Sequence, residues 1–116
     1  MEYRYIRTDY LETVSGGDPE IIAELVSMFR DQVEETNREM RSLLSVKDYH
    51  SLGLLAHKAK SSVAIMGMDD LAALLKTFEL QAKEGNSSEL YESYISRFES
   101  DTAAAVIELE DLIRKR

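Results

Sequence analysis

Cysteine and tryptophan are missing from the 116 residues, and proline occurs once. Without a thiol there is no disulfide, no thiolate metal site and no cysteine nucleophile. One proline and five glycines are too few to punctuate a chain of short strands and tight turns. Positive charge is also in short supply. Fourteen lysines and arginines stand against 22 aspartates and glutamates, a formal net charge of −8, which opposes sequence-independent attraction to DNA, RNA or an anionic bilayer. No nucleic-acid partner is expected. The opening MEYRYIRTDY is charged and aromatic, and no apolar run approaches a signal-peptide core or a bilayer span. No membrane association is expected, and the cytoplasm is the expected setting.

What is present fits a helical protein. Hydrophobic residues make up 44% and charged residues 31%, and the length suits a single domain over residues 1–116. The first seven residues mix Tyr3, Tyr5 and Ile6 with charges, a pattern too short to assign to an element. From Thr8, a natural N-cap, the residues Ile6, Tyr10, Leu11 and Val14 recur at helical spacing up to Gly16-Gly17, predicting a short helix at about 8–15. Asp18-Pro19 reads as an N-cap followed by the first helical position, where proline's missing N–H has no partner to lose. The helix it opens, at about 18–46, carries Ile22, Val26, Phe29, Val33, Thr36, Met40 and Leu43 in steps of four and three, the seam of a helix packed lengthwise on its neighbours.

Asp48 caps the next expected helix, at about 48–66, whose apolar stripe is Leu52, Leu55, Ala56, Ala59, Val63 and Met66. Gly67 supplies a stop. Asp69 or Asp70 then caps a helix at about 69–84 with Leu71, Leu74, Leu75, Phe78 and Ala82 on one side. Asn86 with Glu89 three residues later reads as a capping box for a last helix at about 87–115. Its stripe is Tyr91, Ile95, Phe98, Thr102, Ala105, Leu109 and Leu112, and Arg114, Lys115 and Arg116 sit at its negative end. The fold class is therefore all-α: an antiparallel up-down-up-down four-helix bundle with a short extra N-terminal helix. A monomer is expected.

One histidine does not belong to this packing pattern. His57 points away from its helix's stripe, with Gly53 and Ser61 one turn to either side, Ala64 two turns on and Lys60 at the flank. Small residues there would leave the imidazole open to a large partner. A lone exposed histidine is commonplace, and small residues also occur where a second helix packs, so these positions alone do not define a function. Competing chemistries lack their residues. Neither His50 nor His57 has a glutamate three residues earlier, so a di-iron bundle is not supported. The phosphate-binding loop, serine elbow and His-Glu-x-x-His patterns are absent too. A self-sufficient enzyme with a nucleotide site is not expected, and no cofactor or metal is assigned to the chain. His50, seven residues before His57 and about 10 Å away by helical rise, is too distant to share a ligand and reads as rim surface.

The run Ala56-His57-Lys58-Ala59-Lys60-Ser61-Ser62, followed by Ile65, Gly67, Leu71 and Phe78-Glu79, resembles the histidine-containing phosphotransfer domain of two-component phosphorelays. Two positions depart from that pattern: Ala59 stands for a larger apolar residue and Ser61 for a glycine. The resemblance implies that His57 is the phosphorylated nucleophile, that Lys60 offsets charge on the phosphoryl group, and that Glu79 orients the imidazole. It implies a phosphocarrier that accepts a phosphoryl group from a receiver-domain aspartate and passes it to another receiver. The expected partners are response-regulator receiver domains and a hybrid sensor histidine kinase, with Mg2+ brought by the receiver. Gly53, Leu54, Lys58, Ser61, Ala64 and Ile65 are the expected docking face. The alternative is a helical-bundle adaptor that binds a partner through the same face without being phosphorylated.

Overall fold

Positive-φ residues mark the junctions between helices: Gly16, Gly17, Gly67 and Gly85, and also Lys47 and Ser87. In the computed structural model, which describes residues 3–115, five α-helices follow one another: α1 Asp9–Ser15, α2 Pro19–Ser45, α3 Tyr49–Ile65, α4 Asp69–Glu84 and α5 Tyr91–Arg114. Met1, Glu2 and Arg116 lie outside the described residues. Asp18 caps α2 through its side chain on the Glu20 N–H, with Pro19 in the first turn, and Asp48 caps α3 on the Ser51 N–H. Short links make successive long helices antiparallel. Helices α2, α3, α4 and α5 close into a ring in which each packs on the next and α5 returns to α2, and α3 with α4 forms the broadest contact. Among the described residues no strand occurs and no helix is long and apolar enough to cross a membrane.

The apolar stripes face the axis of this ring. All seven positions of the α5 stripe are buried, and so are Leu52, Leu55, Ala56, Ala59, Val63 and Met66 beside α3. In α2 the seam residues Ile22, Val26, Phe29, Val33 and Met40 are buried, while Thr36 and Leu43 are half-buried. A ring cluster closes one end. Tyr91 packs edge-on against Tyr49 at 5.1 Å and at a tilt against Phe78 at 5.3 Å, and its hydroxyl donates to the Asn86 carbonyl. Phe78 immediately precedes Glu79, so this cluster anchors the turn of α4 that carries the carboxylate.

Four local expectations are corrected. The residue before α4 is Met68, which has no side chain able to cap. Asp69 is the first helical residue, and its carboxylate pairs with Arg7 at 2.5 Å. Thr8 does precede α1, but its hydroxyl makes no cap bond. The capping box at Asn86 does not form. The Asn86 amide donates to Glu84, a single 3-10 turn covers Ser88–Leu90, and α5 begins at Tyr91 rather than near residue 87. Burial of the Tyr91 ring and its bond back to Asn86 hold the chain in that turn. In α1 only Leu11 and Ser15, one turn apart, face the core, leaving Tyr10 and Val14 about half exposed.

The first residues, unassignable from pattern, form an ordered arm. The backbone N–H groups of Arg4, Tyr5 and Ile6 donate to the Glu108 carboxylate at 2.9, 2.9 and 3.2 Å, and the Ile6 side chain is buried. The Arg7 N–H then donates to the Met66 carbonyl at 3.0 Å, tying the arm to the end of α3. Gly67 is required at that crossing. Its φ is +76°, and an added Cβ would lie 2.6 Å from both the Arg7 nitrogen and its Cβ.

Candidate functional site

His57 stands near the middle of α3 with its imidazole outward, the side chain 58% exposed. Exposure of this kind follows from the stripe. Ala56 and Ala59 turn inward and are buried, so the two residues between them, His57 and Lys58, are carried to the surface. Opposite it, on α4, Glu79 is buried at 6% exposure. Its place is also written in the spacing, for Glu79 lies one turn after Leu75 and three residues before Ala82, both core residues.

A buried carboxylate needs partners, and this one has three. The Nδ1 atom of His57 lies 3.0 Å from each Glu79 carboxylate oxygen. The Lys83 ammonium donates to Oε2 at 2.8 Å and the Lys60 ammonium to Oε1 at 3.4 Å. These contacts hold the Glu79 carboxyl at about 2, below its usual 4.5, with the Lys83 hydrogen bond the largest cause and His57 and Lys60 adding to it against the opposing effect of burial. Glu79 is therefore ionised at neutral pH. An ionised carboxylate can only accept, so neutral His57 meets it as the Nδ1–H tautomer, which leaves the Nε2 lone pair free.

The structure brings His57, Lys60 and Glu79 together. It adds Lys83, which the reading from sequence did not name. The signal was available: Lys83 follows Glu79 by four residues, the favoured order for a helical glutamate–lysine pair. Of the six docking-face candidates, Leu54, Lys58, Ser61, Ala64 and Ile65 are exposed around His57, with Leu54 and Ile65 at 51% and 40%. Gly53 is not part of that face. It is buried against α4, where an added Cβ would lie 3.0 Å from the Lys83 Cγ and 3.1 Å from the Glu79 carbonyl oxygen. The small residue on this turn is there for helix packing.

Beside the histidine, Ala59, Lys58 and Ser62 line a groove between α3 and α2 whose floor includes Phe29, Val33 and Phe98. The missing volume at Ala59 falls within it. A larger cleft, about 540 Å³, lies under the arm, away from His57, and among its lining residues Arg7 pairs with Asp69 and Arg97 with Asp101. Among the described residues no cluster of histidine and carboxylates could hold a metal ion. His50 is exposed at the start of α3.

A family model described as the Hpt domain matches residues 24–115, which span the site and all four long helices from the second turn of α2 onward. Searches of curated proteins and of solved structures each returned no match.

Proposed function

The chain belongs to the Hpt domain family, whose members serve histidine phosphotransfer in two-component phosphorelays, and from that premise we propose that His57 accepts a phosphoryl group from a receiver-domain aspartate and returns it to another. The observation that carries this reading is the exposed imidazole held at Nδ1 by a buried, ionised Glu79. The Nε2 lone pair attacks the phosphorus of the aspartyl phosphate. The N–P bond forms as the bond from phosphorus to the aspartate oxygen breaks, and the departing carboxylate keeps the electron pair. The proton on Nδ1 stays between the ring and Glu79, whose charge offsets the positive charge the ring acquires. Transfer onward is the reverse step with a second carboxylate.

Phosphoryl transfer is mostly positioning and charge neutralisation, so a presented nucleophile is enough on this side. Lys60 is poised to turn toward the incoming group, because its 3.4 Å contact with Glu79 is long. Lys83, at 2.8 Å, stays with the carboxylate. The receiver contributes the Mg2+ site and the aspartate. Leu54, Lys58, Ser61, Ala64 and Ile65 would meet it, with lone apolar side chains flanking a polar centre as transient interfaces have. On this reading the protein acts as a monomer in the cytoplasm. Incubation with a phosphorylated receiver and Mg2+ tests the proposal. Acid-labile phosphate should appear on the protein and not on a His57→Ala variant, whereas receiver binding without phosphate on either would favour the adaptor role.

A further inference from the structure

Gly53 lies in α3 one turn before His57, at a helical position where alanine would be the better former. Its neighbours explain the choice. A Cβ built there would lie 3.0 Å from the Lys83 Cγ, 3.1 Å from the Lys83 backbone nitrogen and 3.1 Å from the Glu79 carbonyl oxygen. The last two atoms belong to the backbone of α4 one turn apart and cannot swing aside. The Lys83 stem is held as well, since its ammonium is bound to Glu79 at 2.8 Å. The residues that touch Gly53 are thus the two whose side chains build the carboxylate end of the site.

We propose that Gly53 is a positioning residue for the phosphotransfer site: the absence of a side chain there sets how closely α4 approaches α3, and so places the Glu79 carboxylate within hydrogen-bond reach of His57. The inference rests on the reading of His57 as phosphoacceptor but concerns a different physical link. Gly53 touches neither the imidazole nor an incoming group. Contacts of 3.0–3.1 Å are tighter than a Cβ ordinarily makes, so an alanine requires this turn of α4 to give by a few tenths of an ångström. A hydrogen bond at 3.0 Å weakens over such a displacement, since donor–acceptor distances cluster below about 3.2 Å.

The test is Gly53→Ala in the full chain, followed by NMR of the His57 ring nitrogens and of the Glu79 carboxyl, both without any partner. The expected result is a folded variant in which His57 passes from one dominant tautomer to a mixture and the Glu79 titration midpoint moves up. Phosphoryl transfer from a receiver should slow by about tenfold. In a Glu79→Ala background the same glycine substitution should slow transfer no further, because both changes act on one link. An unchanged tautomer and unchanged Glu79 midpoint in the folded variant would overturn the inference, whatever the transfer rate. Loss of the fold would overturn it too, making Gly53 a requirement of the whole bundle. Failure of the wild-type protein to take phosphate would defeat the functional reading while leaving the ring and carboxyl measurements decisive for Gly53.

Discussion

The imidazole Nδ1 of His57 and the carboxylate of Glu79 meet at 3.0 Å across the α3–α4 contact, one side chain 58% exposed and the other 8%. The pairing joins an accessible ring to a group that solvent barely reaches. Its consequence is chemical. The buried partner determines which ring nitrogen carries the proton, and the exposed partner presents the other nitrogen.

Glu79→Gln should keep the volume but lose the charge, leaving Lys60 and Lys83 facing a neutral amide. The expected outcome is a loss of about 1–3 kcal/mol in stability by denaturant unfolding, with transfer slowed by about 10-fold or more. A variant as stable and as fast as the wild type would remove Glu79 from the site.

Acid should weaken the fold through the same residue. The Glu79 carboxyl titrates at about 2 when folded against 4.5 in an open chain, so its contribution is present in full above pH 4.5 and fades as pH falls toward 2. Allowing for the partly exposed lysines, that contribution is about 2 kcal/mol. Urea midpoints across this range should fall for the wild type and fall less for Glu79→Gln.

The two lysines should separate in their effects. Lys83→Ala removes the 2.8 Å bond and should raise the Glu79 midpoint more than Lys60→Ala, which removes a 3.4 Å contact. In phosphotransfer the order should reverse, with Lys60→Ala the slower variant by about 10-fold. Carboxyl NMR paired with transfer kinetics reads both orders.

How much of this was legible beforehand depends on the kind of signal. The stripes of α3 and α5 declare their buried positions because periodicity repeats over many turns, and Asp18-Pro19 and Asp48 declare helix starts through cap chemistry. His57 and Glu79 were legible as a pair only through the family pattern around them. What was lost depended on contacts far apart in sequence. Gly53 looked like an open surface until α4 lay on it. The Asn86 cap gave way to the tertiary demand of Tyr91. The arm found its order from Glu108, about a hundred residues away.

That arm gives a further prediction. Glu108 accepts from three consecutive backbone N–H groups, so Glu108→Ala should cost about 1–3 kcal/mol and speed hydrogen exchange at Arg4, Tyr5 and Ile6. Glu108→Gln should recover part of the loss, because one amide oxygen still accepts. Exchange at these amides that does not change in Glu108→Ala would contradict the assignment.

The most direct measurement is the site of phosphorylation on the ring. After phosphoryl transfer from a receiver, phosphorus and nitrogen NMR of the intact protein should show a single phosphohistidine, at residue 57, with phosphorus bonded to Nε2 and the proton retained on Nδ1. Phosphorus bonded to Nδ1, or phosphate carried at any residue other than His57, would contradict the account.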